Sequence, residues 1–125
     1  MGIDLASVEL VQESVRVHGD RYLRRVFTER ELADCRSAAG GIEPERLAAR
    51  FAAKEATLKV LRPGEEGLPL TSIEVVTDPA GWVDLTLSGP AASIARNAGM
   101  SGFTVSLTHE GAFAAAVVAA DCRRG

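Results

Sequence analysis

Charged side chains interrupt the apolar face of a segment that is predicted to form a long helix. With 3.6 residues per turn, this apolar face consists of Leu47, Phe51, Leu58 and Leu61. Lys54 projects within the face, and Glu55 borders it. Because charged groups face a protein interior only when they are paired, metal-bound or in a cleft, the pattern indicates a functional site. The alternative is structural: Lys54 extends to solvent, and Glu55 forms a surface pair with Lys59, four residues later.

Two polar residues far from this segment also have both a chemical and a structural interpretation. Asp4 stands before a predicted helix, where an N-cap aspartate contributes about 1 kcal/mol. His109 ends a predicted strand beside Glu110, and an isolated histidine is commonly a structural residue. Taken one at a time, neither residue identifies a site.

Three motifs appear in order along the chain. They are Gly2-Ile3-Asp4 near the start, Arg50-Phe51-Ala52-Ala53-Lys54-Glu55-Ala56 followed by Lys59 in the middle, and Val105-Ser106-Leu107-Thr108-His109 near the end. Their combination resembles the holo-acyl-carrier-protein synthase family of 4′-phosphopantetheinyl transferases. The resemblance covers nearly the whole chain, and the central motif is its most specific element.

The resemblance implies an enzyme that transfers 4′-phosphopantetheine from coenzyme A to a serine of an apo acyl carrier protein. Asp4 and Glu55 would bind Mg²⁺, which prefers hard oxygen ligands and shares its shell with water and phosphate. A set of polar residues would hold coenzyme A by charge-assisted hydrogen bonds, namely Arg50, Lys54, Lys59, Thr108 and His109. The catalytic residues would be Glu55, Lys59 and His109. The attacking serine belongs to the carrier, and its proton would go to Glu55 or to a metal-bound hydroxide.

The same resemblance implies partners. The family is typically a homotrimer with sites between subunits, so Lys54 would face a cleft that a neighbouring subunit completes. Acyl carrier proteins of this system are strongly acidic, and the carrier would dock by charge complementarity on Arg21, Arg24 and Arg25. A role in fatty acid biosynthesis follows from the family.

Three features depart from the family pattern. Leu10 stands six residues after Asp4, where the family usually has an arginine that grips the carrier. The segment 62–67, after the long helix, contains Glu65 and Glu66, which would repel a phosphate unless they point away. The first strand would be short. These departures keep two alternatives open: a non-catalytic module that binds coenzyme A or a carrier protein, and a purely structural trimerisation domain.

An α+β fold must position these residues. The periodicity predicts helices first and then a mostly antiparallel sheet, which matches a 4′-phosphopantetheinyl transferase fold in a single domain over residues 1–125. The predicted helices cover about 5–17, 28–36, 43–61 and 89–98, and the predicted strands cover 73–77, 82–87, 103–108 and 112–120. Thr28 and Glu31 form a capping box, and the segment 78–81 forms a hairpin turn.

Composition limits the classes of function. The 125 residues carry a net charge of −3, without a run of about 18 apolar residues and without a signal-peptide pattern, which predicts a cytoplasmic protein with no membrane span. The stretches 16–30 and 45–62 each hold five basic against two acidic residues, which indicates anion binding and not nucleic-acid binding; solvated helix faces are the alternative. Cys35 and Cys122 show no metal-ligand spacing and are predicted to be free thiols.

Overall fold

The structure of the protein is a computed structural model, and it describes residues 1–123. The strands within these residues are β1 (Gly2–Ser7), β2 (Ile73–Thr77), β3 (Val83–Leu87), β4 (Met100–Glu110) and β5 (Phe113–Cys122). The helices are α1 (Val8–His18), α2 (Asp20–Val26), α3 (Glu29–Asp34), α4 (Pro44–Leu61) and α5 (Gly89–Asn97), with a short 3₁₀ helix at Leu70–Ser72. The predicted α+β class, with helices packed on antiparallel sheets, is confirmed.

Two antiparallel sheets organise the strands. In the larger sheet β5 lies in the middle, with β1 on one side and β4 on the other. In the smaller sheet β2 and β3 form the predicted hairpin, whose turn is stabilised by two backbone N–H groups that donate to Asp78. Asp4 pairs with Ala116, and Ala116 pairs with Leu107, so these three side chains share one face of the larger sheet. We call this the inner face, because α4 packs against it.

The longest helix, α4, has the bounds that the sequence predicts. Pro44 stands in its first turn, and the helix ends at Leu61, followed by Arg62 in the left-handed conformation with φ of 51°. The small side chains along α4 are buried and let its backbone approach the sheet; they are Ala48, Ala49, Ala52, Ala53 and Ala56. The core around them includes Phe27, Leu47 and Val75.

The first 26 residues differ from the prediction. The predicted helix over 5–17 begins at Val8, and Ser7 is its N-cap, since the Ser7 side-chain oxygen accepts a hydrogen bond from the Leu10 N–H at 3.2 Å. Asp4 lies inside β1, so its interpretation as an N-cap is wrong. The prediction also lacks α2, because Gly19 and the following aspartate indicate only a break; in the structure Gly19, with φ of 54°, turns the chain directly into α2.

The other elements follow the prediction with shifted ends. The capping box is present in both directions: the Glu31 N–H donates to Thr28 Oγ1 at 3.2 Å, and the Thr28 N–H donates to Glu31 Oε1 at 2.8 Å. β4 begins at Met100, before the predicted 103, because a bulge after Ser101 interrupts the alternation that identifies a strand. Both cysteines are free, as predicted. Within residues 1–123, every helix is too short or too polar to cross a membrane.

Candidate active site

The close approach of β1 to α4 brings the first two motifs together. A Cβ atom on Gly2 would lie 2.2 Å from the backbone carbonyl oxygen of Ala56, which is closer than any real side chain comes. Glycine is therefore required where β1 crosses the central motif. Since side chains alternate along a strand, Asp4 faces α4 two residues beyond Gly2.

Asp4 forms an ion pair with Lys59 of α4. The Lys59 ammonium donates to Asp4 Oδ1 at 3.0 Å and to the backbone carbonyl oxygen of Ile3 at 2.7 Å. The Lys59 side chain is 55% exposed and that of Asp4 is 20% exposed, so the pair contributes at most about 1 kcal/mol to stability. The predicted alternative, a surface pair between Lys59 and Glu55, is wrong for the part of the chain that the structure describes, since Lys59 pairs with Asp4 there.

Glu55 completes a group of two carboxylates and one ammonium. It is half-buried on α4, one turn before Lys59. Burial raises the pKa of Glu55, the charge of Asp4 raises this pKa further, and the Lys59 ammonium opposes both effects. One cation therefore faces two anions, and an additional cation would lower the electrostatic energy of the group.

This donor set fits Mg²⁺, the ion that the family resemblance implies. Mg²⁺ is usually held by one or two carboxylates and takes its remaining ligands from water and substrate phosphate. Asp4 and Glu55 supply two such carboxylates at a partly exposed position. Among residues 1–123, no three or more His, Cys, Asp and Glu side chains form a metal-binding group, so any further ligands would come from water or substrate.

Lys54 lies in the core and not in a cleft. Its ammonium is 2.7 Å from Glu31 Oε1, and both side chains are 0% exposed. The ammonium also donates to the backbone carbonyl oxygens of Leu70, at 3.0 Å, and Ile73, so each of its three N–H groups has an acceptor. Burial lowers the pKa of Lys54, and the Glu31 carboxylate opposes this effect. The structure thus disagrees both with a coenzyme A contact in a cleft completed by a neighbour and with a side chain that extends to solvent.

Arg50 is also largely buried, although it borders a cleft. Its guanidinium donates to Thr77 Oγ1 at 2.8 Å and to the Arg46 carbonyl oxygen at 3.4 Å. Among the described residues, the buried Nε atom of Arg50 has no hydrogen-bond partner. A cleft of about 420 Å³ between α4 and the β2–β3 hairpin is lined by Arg46, Arg50 and Asp78, among others. Contact of Arg50 with coenzyme A stays a prediction.

Thr108 and His109 lie near the exposed end of β4 and face opposite sides of the sheet. Asp4 is level with Leu107 across β5, so His109 is two strands away and two residues further along. Ordinary strand spacings then separate the Cα atoms of Asp4 and His109 by about 12 Å. One chain does not bring His109 to the two carboxylates, and the predicted contact of Thr108 and His109 with coenzyme A stays a prediction.

The outer face of the three-stranded sheet is apolar and exposed. Ile3 and Leu5 of β1 are each 63% exposed, and Phe113 and Val117 of β5 are also exposed on this face. Thr108 lies on the same face, in register with Leu5 across β5. A contiguous exposed apolar patch is typical of an interaction surface. We call these residues the outer apolar face.

The arginines predicted to dock a carrier lie on α2. Arg24 pairs with Glu29 at 2.5 Å, whereas Arg21 and Arg25 line a small cleft together with Tyr22. A neighbouring cleft of about 280 Å³ also contacts Tyr22 and is otherwise lined by Leu5, Ala6, Ser7, Leu10, Val11, Ser14 and Phe51. Leu10 is thus exposed at an apolar cleft between α1 and β1. Burial and the charge of Glu55 raise the pKa of Tyr22 to about 12.

Sequence reasoning missed three contributors to this region. Glu31 neutralises Lys54, but it lies 23 positions earlier, in another helix, and only its capping role has a local signal. Ile3 contributes a backbone carbonyl oxygen, which leaves no trace in residue type. Tyr22 lies on the unpredicted α2.

Glu65 and Glu66, which depart from the family pattern, are exposed in the loop after α4.

Comparison with known proteins agrees with this geometry. Residues 1–118 match the 4′-phosphopantetheinyl transferase superfamily. A holo-[acyl-carrier-protein] synthase of Chloroflexus aggregans is 42% identical over 129 residues, which cover 95% of this chain and 92% of that protein. The ACPS–coenzyme A complex of Chronobacterium ammoniagenes superposes with a TM-score of 0.84 at 28% identity, covering 98% of this chain and 96% of that one. The Helicobacter pylori holo-[acyl-carrier-protein] synthase in complex with coenzyme A gives a TM-score of 0.80 at 26% identity, covering 96% and 98%. The chain therefore belongs to the holo-[acyl-carrier-protein] synthase family of the 4′-phosphopantetheinyl transferase superfamily.

Proposed function

We propose that this protein transfers 4′-phosphopantetheine from coenzyme A to a serine of an apo acyl carrier protein, leaving adenosine 3′,5′-bisphosphate. The observation that carries the proposal is the ion pair between Asp4 and Lys59, which brings the first motif onto α4 one turn after Glu55. The names of the relatives and the coenzyme A in two similar solved structures support the same reaction. A cytoplasmic location and a role in fatty acid biosynthesis stay predictions.

Asp4 and Glu55 would hold Mg²⁺ at the diphosphate of coenzyme A. The bound ion would neutralise phosphate charge and orient the reacting phosphorus for in-line attack. Lys59, whose side chain is more than half exposed, would hold a phosphate oxygen by a charge-assisted hydrogen bond. Glu55 or a metal-bound hydroxide is the candidate base for the carrier's serine.

We propose that the complete site lies between subunits of a homotrimer. Support comes from the outer apolar face, which a second copy of the chain would cover, and from Thr108, which points from the same face. Within one chain, about 12 Å separates the Cα atoms of His109 and Asp4, so the His109 of a neighbouring subunit would be the one that approaches the two carboxylates. In this arrangement His109 contacts coenzyme A bound to the adjacent copy.

Carrier docking would use the arginines of α2 and the apolar cleft beside them. Arg21 and Arg25 suit an acidic carrier, and Leu10 offers an apolar contact where the family pattern has an arginine. We expect Arg21→Glu together with Arg25→Glu to raise the KM for the carrier about tenfold or more and to leave the KM for coenzyme A within about twofold. Arg96→Glu on α5 is the matched control, because it reverses an exposed charge away from α2. Equal increases in both KM values would refute the docking role.

The reaction itself is tested by mass spectrometry of an apo carrier incubated with coenzyme A, Mg²⁺ and the protein. Wild type should add one phosphopantetheine per carrier. Glu55→Gln and Asp4→Asn should each lower the rate at least 100-fold, with unchanged circular dichroism, whereas Asp84→Asn on the exposed side of β3 should not. Transfer by Glu55→Gln at the wild-type rate would remove Glu55 from the site. Absence of transfer with every carrier, alongside binding of coenzyme A, would favour the non-catalytic module.

A further inference from the structure

Lys59 occupies a position that suits a cation. Its ammonium lies within 3.0 Å of two oxygens, Asp4 Oδ1 and the carbonyl oxygen of Ile3. The carboxylate of Glu55 is close enough for the Lys59 charge to act on it. The protein's own lysine therefore partly neutralises the two carboxylates that the proposed function assigns to Mg²⁺.

A divalent ion and this ammonium compete for the carboxylate of Asp4. Mg²⁺ approaches its ligands to about 2.1 Å and needs one lone pair of Asp4 directed at it. An ammonium bonded to Asp4 Oδ1 occupies part of the acceptor capacity of the carboxylate, and its positive charge repels a second cation only a few ångströms away. As long as Lys59 stays on Asp4, the site binds a free divalent ion weakly.

Lys59 is able to leave, unlike the other lysine of the chain. Its side chain is 55% exposed, whereas Lys54 is fully enclosed and has three protein acceptors. A phosphate group placed beside α4 would be a stronger partner for Lys59 than one carboxylate oxygen, because it carries more charge and more acceptor atoms. The exchange requires only rotation of the lysine side chain about its own bonds.

We propose that Lys59 is a built-in counter-ion, which holds Asp4 until coenzyme A arrives and then transfers to a phosphate, so that Asp4 becomes free for the divalent ion. The inference rests on the proposed function and adds an order of events to it. Coenzyme A and the metal bind cooperatively: each removes an obstacle to the other, and by linkage the coupling is the same in both directions. Without coenzyme A, a metal ion binds weakly, because Lys59 still occupies and neutralises the carboxylate of Asp4.

The test is Mn²⁺ binding to the metal-free protein without coenzyme A, measured by electron paramagnetic resonance of the free ion. Lys59→Met should bind Mn²⁺ about tenfold more tightly than wild type, since it removes both a competing ion pair and a repelling charge. Lys59→Gln is a second neutral variant, and thermal unfolding confirms that both are folded. Arg96→Met, which removes an exposed charge on α5, should bind Mn²⁺ as wild type does. Adding Asp4→Asn to Lys59→Met should abolish the gain.

Each outcome supports or overturns the inference. A gain for both neutral variants that depends on Asp4 supports it. Equal or weaker Mn²⁺ binding by these variants, or no binding by any protein without coenzyme A, overturns it, because opening the site should expose it. If the inference fails but wild type with coenzyme A still binds Mn²⁺ through Asp4, the proposed function stands. If binding through Asp4 is absent under every condition, the metal site of the proposed function fails as well.

Discussion

The buried ion pair between Lys54 and Glu31 gives the sharpest test of which lysine serves the site. Because both side chains are 0% exposed, removing either partner leaves an uncompensated charge in the core, which costs about 3–5 kcal/mol. That loss is a large part of the 5–15 kcal/mol that stabilises an ordinary domain. Lys54→Met should therefore unfold at a much lower urea concentration than wild type. Lys59→Met is the matched control and should lose no more than about 1 kcal/mol, since its ion pair is partly exposed.

The partner variant adds a dependence on pH. In Glu31→Gln the Lys54 ammonium keeps its two carbonyl acceptors but loses its carboxylate, so the pKa of Lys54, already lowered by burial, falls further. The unfolded chain then binds more protons than the folded chain between this lowered pKa and 10.5, and stability rises with pH across that interval. The stability deficit of Glu31→Gln relative to wild type should therefore shrink as pH rises from 7 toward 10.

Urea unfolding followed by far-ultraviolet circular dichroism measures both effects. The fluorescence of Trp82 is a poor reporter, because this side chain is exposed in the native state. The double variant Lys54→Met with Glu31→Gln should lose less stability than the sum of the losses of the two single variants, since removing both partners leaves no unpaired charge in the core. A Lys54→Met variant that keeps wild-type stability while raising the KM for coenzyme A tenfold would refute this reasoning and restore Lys54 to the site.

Two further predictions concern a thiol and the outer apolar face. Burial raises the pKa of Cys35 to about 11 from 9.0, so between these pH values the unfolded chain releases a proton that the folded chain keeps, and stability falls as pH rises. The loss should reach about 2 kcal/mol by pH 11. Cys35→Ala should lack this loss and Cys122→Ala, which changes the exposed thiol, should keep it, as urea midpoints from pH 8 to 11 will show. If the proposed trimer forms, Val117→Glu should convert it to monomers, as measured by light scattering, and lower transfer at least tenfold. Val17→Glu, at an exposed position of α1, should do neither. A wild-type monomer that is fully active would contradict the trimer.

Most helices and strands of the fold can be predicted, because caps, prolines and turns depend only on residues that are neighbours in the sequence. The side chains of Thr28 and Glu31 each accept a hydrogen bond from the backbone N–H of the other residue. The capping box therefore identifies the start of α3 without tertiary information. Pro44 and the end of the apolar period at Leu61 bound α4 in the same way. The turn after Asp78 identifies the hairpin. Each of these elements is consistent with its own sequence.

The long-range partners of the site could not be predicted from spacing. The periodicity of α4 correctly places Lys54 toward the core, but nothing local shows that a carboxylate from α3 meets it there. The sequence therefore allows a cleft, a solvent-directed lysine or a buried pair, and the third is the one that forms. Family resemblance supplied the convergence of Asp4 with α4, which spacing alone does not contain.

β1 shows why local rules of sequence pattern fail at the candidate active site. An ordinary strand that covers a core directs apolar side chains inward and polar ones outward. The first four residues of β1 do the reverse: Gly2 and Asp4 face α4, while Ile3 and Leu5 face outward. Gly2 is inside because α4 leaves no space for a Cβ atom, and Asp4 is inside because its carboxylate faces Lys59 at the site. The apolar side chains that remain need a cover from elsewhere, which is what a second subunit would provide.

One strand of six residues thus serves the site with one face and the proposed assembly with the other. The side chain of Ile3 lies on the outer face, and its carbonyl oxygen is one of the two acceptors that hold Lys59. If a second subunit covers the outer face as proposed, we expect that cover and the position of Lys59 to be coupled through Ile3. A variant that weakens packing on the outer apolar face but keeps the proposed assembly should therefore change the affinity for Mn²⁺ more than the free energy of unfolding. The reason is that a partly exposed ion pair holds Lys59, whereas buried apolar side chains stabilise the core.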